Sequence, residues 1–251
     1  MSKASRNRDI ARAKIVQQRA EEARRTKRRN LLVGLGAVAL AIIAAVVVVI
    51  AATSGGGASA GGNPGAGGKP ALKLVALSTL GTLKAAPNPG PAGPEGVPIP
   101  NAAPLAGTAS DATGSKVDGI RCEATEQTLF HIHAHLAIFV NGAQRQIPAL
   151  IGIPSGSSCL YWLHTHSADG IIHIESPVQH VFTLGDFFAE WGQPLGPNAV
   201  GPVSGRVTAI YNGKVYVGNP QDIPLTKHAQ IQLEVGKPLV APETVSFPNG
   251  L

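Results

Sequence analysis

The stretch from Leu129 to Asn141, LFHIHAHLAIFVN, alternates with period two: Phe130, Ile132, Ala134, Leu136, Ile138 and Val140 are apolar, and His131, His133 and His135 fall between them. Successive side chains of a strand point to opposite faces of a sheet, so the spacing predicts a strand with one core face and one histidine face. Asn141-Gly142, directly after it, is a strong two-residue hairpin signal. It returns the chain through Ala143 to Ile147, and Pro148 ends that strand or marks an edge.

Working outward, Leu160 to His166 and Ile171 to Glu175 read as two further strands joined by Ser167-Ala168-Asp169-Gly170. Two registers are open. A four-residue loop sets His164 opposite His173 and His166 opposite Ile171; a two-residue turn at Asp169-Gly170 sets His166 opposite His173 and His164 opposite Glu175. Arg206 to Tyr211 and Lys214 to Val217 flank Asn212-Gly213 as another hairpin, and His228 to Val235 alternates as a late strand. Leu184, Phe187, Phe188 and Trp191 have helical spacing within Phe182 to Gly192, with Gly192 as the stop. The expected fold is mainly β, antiparallel sheet and hairpins, with one short helix.

Six of the eight histidines lie within 43 positions: His131, His133, His135, His164, His166 and His173, with Glu175 two residues after the last. Opposed residues on one face of a sheet have Cβ atoms about 4.5 to 5.5 Å apart, close enough to share an ion. Neutral imidazoles with a carboxylate are a donor set for a divalent transition metal. The candidate ligands are His164, His166 and His173 as one group, completed by His133 or His135, with Glu175 in reach; His131 is the most peripheral. His180 and His228 stand outside the pattern.

Cys122 and Cys159 are the only cysteines and are expected to form a disulfide. In a chain-entropy picture a loop of this length is worth about 4 kcal/mol. Met1 is the only methionine. A copper site built on thiolate and thioether is thereby excluded, and an imidazole site suits zinc or copper.

The rest of the chain differs in character. Leu31 to Ala52 is 22 apolar or small residues without a charge, which as a helix spans about 33 Å, enough for a bilayer core of about 30 Å. Basic residues crowd its N-terminal side, from Arg24 to Arg29, and no charge follows before Lys69. The positive-inside bias then places residues 1–30 in the cytoplasm, 31–52 across the membrane and the remainder outside. Residues 53–115 are rich in Pro and Gly and read as a linker, apart from an apolar segment at 71–83 that is either an edge element or membrane-proximal. Residues 116–251 form the extracytoplasmic histidine-rich domain. The formal net charge of +6 is concentrated at the N-terminus, where residues 1–30 hold 11 Lys/Arg against 3 Asp/Glu. The domain is slightly acidic, so no nucleic-acid partner is expected.

The strings EQTLFHIHAHLAIFVNGAQRQIPALIGI, LYWLHTHSADGIIHIESP and FTLGDFFAEWGQPL resemble a group of uncharacterised bacterial membrane-anchored extracytoplasmic proteins, over residues 117–251. The resemblance implies the domain limits and the anchored arrangement, and no particular chemistry. Three functions compete. The first is a tethered module that binds zinc or copper. The second is a metal-dependent hydrolase or hydratase, with Glu175 or Asp169 as proton acceptor; FHIH has a faint similarity to the zinc strand of alpha carbonic anhydrases, whose remaining pattern is absent. The third is an envelope interaction module whose histidines respond to acid.

Overall fold

The histidine strand is the spine of the molecule, and everything else is placed by its two edges and two faces. The computed structural model describes residues 72–106, 114–155 and 158–251. The segments read as cytoplasmic (1–30) and transmembrane (31–52) lie outside these residues, as does the linker at 53–71 and 107–113. Among the described residues no helix is long and apolar enough to cross a membrane.

In chain order the strands are β1 (Leu74–Val75), β2 (Cys122–Glu123), β3 (Phe130–Val140), β4 (Ala143–Arg145), β5 (Leu160–Tyr161), β6 (Leu163–His164) and β7 (Ile171–Ser176). After the helix α1 (Leu184–Trp191) come β8 (Leu195–Gly196), β9 (Ala199–Val200), β10 (Val203–Ser204), β11 (Val207–Tyr211), β12 (Lys214–Tyr216) and β13 (Gln230–Val235). The main sheet runs β1-β12-β11-β13-β3-β7-β6. The N-terminal half of β3 pairs with β7, and its C-terminal end, beyond β7, pairs with β4.

The hairpins form where the turn chemistry puts them. Asn141 and Gly142 both take positive φ, 51° and 72°, and Asn212 and Gly213 repeat this at 49° and 72°, the backbone a two-residue turn needs to match strand twist. One pairing departs from the antiparallel expectation. β13 runs parallel to β3, from Gln230 opposite His135 to Val235 opposite Val140, so the sheet is mixed. Alternation along β13 sets which side chains face inward but carries no information about direction.

The even positions of β3 face the main core. Ala134, Leu136, Ile138 and Val140 join Leu163, Ile172 and Ile174 from the neighbouring strands, with Leu184, Phe187, Phe188 and Trp191 of α1 in the same cluster. The helix begins at a capping box: the Thr183 side chain accepts from the Asp186 N–H, and the Asp186 carboxylate accepts from the Thr183 N–H. Gly192 closes it in the left-handed conformation.

The odd face of the sheet is covered by extended chain instead of a helix. Lys84 bridges to Val240. Further on the chain reaches the main core, where Leu105 packs; its N–H donates to the Gln146 carbonyl at 2.9 Å, and Gln146 N–H donates back to the Ala103 carbonyl at 2.9 Å. The apolar segment at 71–83 contributes edge strand β1, paired to β12. Within the stretch read as linker, main-chain bonds therefore tie β1 to β12, Lys84 to the C-terminal segment at Leu239 and Ala241, and Leu105 to Gln146 just past β4. The Cys122–Cys159 disulfide forms as expected and sits where β2 pairs with β5, just ahead of the strand that delivers His164.

Candidate metal centre

Three strands bring the histidines into rows. His133 of β3 lies opposite His173 of β7, which lies opposite His164 of β6. In the next row His131 faces Glu175. The second hairpin thus adopts the register with His164 against His173, not the one with His166 against His173. All these side chains project from the odd face at one end of the sheet, and the burial of β7 on both faces explains how a His and a Glu come to be enclosed there.

The ring nitrogens converge. His133 Nε2 lies 3.1 Å from His131 Nε2 and 3.1 Å from His173 Nδ1. Glu175 Oε1 is 3.2 Å from His131 Nε2, 3.5 Å from His173 Nδ1 and 4.0 Å from His164 Nε2. His164 Nε2 is 3.3 Å from His166 Nε2. Two donors held at about 2.0 to 2.1 Å by one tetrahedral ion are about 3.3 Å apart, so these separations are those of ligand edges. Hydrogen bonding alone fits them less well: an imidazole nitrogen offers one N–H or one in-plane lone pair, and His133 Nε2 faces two other ring nitrogens at once.

Two sets of donors emerge that could hold a metal ion: His131, His133, His173 and Glu175, and His164, His166, His173 and Glu175. Within each set the ligand atoms lie within 4.8 Å of one another. His164 and Glu175 are enclosed, whereas the side chains of His131 and His166 are 36% and 35% exposed and form the rim.

The outward ring nitrogens are held by partners that fix the inward ones. His164 Nδ1–H donates to the Tyr161 carbonyl at 2.8 Å, which leaves the Nε2 lone pair facing the site. His173 Nε2–H donates to Glu95 Oε1 at 2.8 Å, which leaves Nδ1 free to face His133. A carboxylate or carbonyl behind a ligating imidazole is the usual device for setting its tautomer and orientation. Glu95 reaches His173 from a small turn in which Gly96 N–H donates to Gly93 at 3.0 Å and Gly96 takes φ 78°, a conformation that favours glycine.

Electrostatics follow from this enclosure. Burial, reinforced by the His173 and His131 charges, lowers His133 to about 3. Burial likewise lowers His164 to about 4. Both rings are neutral at physiological pH, as ligands must be. Burial also disfavours charged His173, yet its bonds to Glu175 and Glu95 outweigh this and lift it to about 9. Burial opposes ionisation of Glu175 and Glu95 too, and in both the contact with His173 wins and holds the carboxyl below its ordinary range. Without a metal the positive charge of the centre therefore sits on His173, between two carboxylates and beside the neutral rings of His133 and His164, and a bound cation would take its place as the partner of Glu175.

Two placements differ from the sequence reading. His135 shares the face but is turned away: its Nε2–H donates to the Asp169 carbonyl at 3.1 Å, and it borders a cavity of about 430 Å³ with Asp169, Arg145 and Glu243. Between His133 and His135, the structure brings His133 to the other donors. His131 lies at the rim, as its position on β3 predicts, and is nonetheless part of the first set because it is directly opposite Glu175. Glu95 was not anticipated. Its only signal is that it is the sole carboxylate between residues 53 and 110, set in a Pro/Gly segment that offers no other reason for a charge. His180 and His228 join neither set.

Comparison of the chain with protein-family models, with curated proteins and with solved structures finds no match.

Proposed function

We propose that the protein is a membrane-anchored, extracytoplasmic module that binds a divalent transition metal, zinc or copper, through His133, His164, His166 and His173 with Glu175, joined by His131. One observation carries this reading: imidazole nitrogens of β3 and β7 meet one another and the buried Glu175 carboxylate at 3.1 to 3.5 Å, and beside them His164 and His166 stand 3.3 Å apart, with His164 4.0 Å from the same carboxylate. The donor set supports zinc or copper, since both cysteines are in the disulfide and the remaining donors are nitrogen and oxygen. The disulfide supports an oxidising compartment. The hydrophobic run at 31–52 and its basic flank support the anchor and its orientation.

The test is elemental analysis of the purified full chain in detergent after stripping with a chelator, loading with Zn(II) or Cu(II), and desalting. At least one equivalent should remain bound. A His173→Ala, Glu175→Ala double variant, which removes the two residues common to both donor sets, should retain none while still unfolding cooperatively, with a lower midpoint because Glu95 loses its partner. A wild-type chain that retains neither ion would overturn the reading.

A further inference from the structure

One four-coordinate ion uses four donors, and the centre presents six residues with converging ligand atoms, five histidines and Glu175. The surplus is not taken up as outer support. The outward nitrogens of His164 and His173 already have their partners in the Tyr161 carbonyl and Glu95, and their inward nitrogens face the Nε2 atoms of His166 and His133, the latter also facing His131 Nε2. The donors also divide by strand. His131 and His133 come from β3, at one edge of β7; His164 and His166 come from β6 and the turn after it, at the other edge. Each pair has nitrogens close enough to share an ion, at 3.1 Å and 3.3 Å. Each pair also has one member at the exposed rim, so each half has its own route from solvent.

Between the halves stands Glu175. Its Oε1 is 3.2 Å from His131, 3.5 Å from His173 and 4.0 Å from His164, so it reaches toward both halves, and its Oε2 is buried with no hydrogen-bond partner. A buried carboxylate oxygen without a partner is costly, and a cation is the ligand that such an atom lacks. A carboxylate that offers one oxygen to each of two ions bridges them, and two-metal sites of this kind hold their ions about 3.5 to 4 Å apart.

We propose that the centre is binuclear, with Glu175 as the bridge between one ion held by His131, His133 and His173 Nδ1 and a second held by His164 and His166. This rests on the metal-binding reading above and extends it. The first ion has four protein donors. The second has three, because His173 Nδ1 is committed to the first and its Nε2 to Glu95. The second ion consequently keeps a coordination position for water or a small exogenous ligand.

The full chain, stripped and loaded with Cu(II), is measured for copper content and for its electron paramagnetic resonance signal. Two equivalents should bind, and the integrated signal should fall well below the copper content, because carboxylate-bridged Cu(II) ions couple magnetically. In a His164→Ala, His166→Ala variant one equivalent should remain, with a signal that accounts for all of it; a His131→Ala, His133→Ala variant should behave the same way. Saturation of the wild type at one equivalent would overturn the binuclear centre and leave metal binding intact. Two equivalents with a full, uncoupled signal would overturn the bridge. Retention of no Cu(II), with none of Zn(II) in a parallel loading, would overturn both this inference and the reading beneath it. The wild-type measurements decide the matter even if a variant fails to fold.

Discussion

The odd face of the sheet has two halves, both with buried polar side chains, and they solve the cost of burial in opposite ways. At the β13 end, Gln232 Nε2–H donates to the Val240 carbonyl at 3.1 Å and its Oε1 accepts from Glu243 N–H at 2.9 Å. Glu234 Oε2 accepts from Val240 N–H at 2.8 Å, and Gln230 bonds Val245 at both its amide atoms. Gln230, Gln232 and Glu234 are each matched to main chain of the C-terminal segment, and Glu234 Oε1 accepts from Gln232, like a sheet edge completed by side chains. At the β3–β7–β6 end the polar groups face each other: nitrogen against nitrogen, with a carboxylate oxygen left over. Buried polarity therefore does not by itself mark a site. The first half is satisfied by the protein's own groups, and the second presents donor atoms that could hold a cation.

The sharpest way to break this contrast is to remove the metal. If the histidine half is a metal site, an ion at about a thousand times its dissociation constant stabilises the fold by about 4 kcal/mol. Addition of a chelator should thus lower the unfolding midpoint of loaded protein, and should do nothing to the His173→Ala, Glu175→Ala variant. An equal response of both would erase the distinction between the halves.

Gln232→Ala probes the other half. It strips two main-chain groups of their partners, at a cost of about 1 to 3 kcal/mol, and should leave metal content unchanged. A loss of metal in Gln232→Ala that matched the loss in the histidine variants would show that the two halves are one structure.

A smaller effect sharpens the comparison through pH. Burial pushes the Glu243 carboxyl up to about 7 from the ordinary 4.5, against the opposing bond from Gln144. The folded state then binds this proton more tightly than the unfolded state, so the contribution of Glu243 to stability is full below about 4.5 and is lost as pH rises to about 7. Glu243→Gln should flatten part of that fall. Urea midpoints at pH 5 and pH 8 measure it: wild type should lose more between the two than the variant, and parallel losses would contradict the assignment.

How much of this was legible in the sequence depends on the range of the interaction. Period-two alternation placed β3 and its two faces because the pleat is local. Asn-Gly pairs placed two hairpins, and the spacing from Leu184 to Trp191 placed the helix, for the same reason. The register of His164 against His173 was one of two that the loop allowed, and loop length alone could not choose between them. The direction of β13 was invisible because parallel pairing is fixed by contacts about a hundred residues apart in the chain. Residues 72–106 read as linker because Pro and Gly composition reports the lack of regular structure, not the lack of contacts. Lys84 and Leu105 find main-chain partners on strands and segments far along the sequence, and that docking is what carries Glu95 to His173. His131 was undervalued for a related reason: its partner Glu175 is assigned by register, not by spacing along β3.

The measurement that bears most directly on the account is X-ray absorption at the metal edge of the zinc-loaded full chain. The account predicts a first shell of nitrogen and oxygen at about 2.0 to 2.1 Å, no sulfur, and outer-shell scattering of the kind that several coordinated imidazoles give. A shell of oxygen alone without imidazole scattering, or a sulfur shell at about 2.3 Å, would place the ion elsewhere and contradict the account.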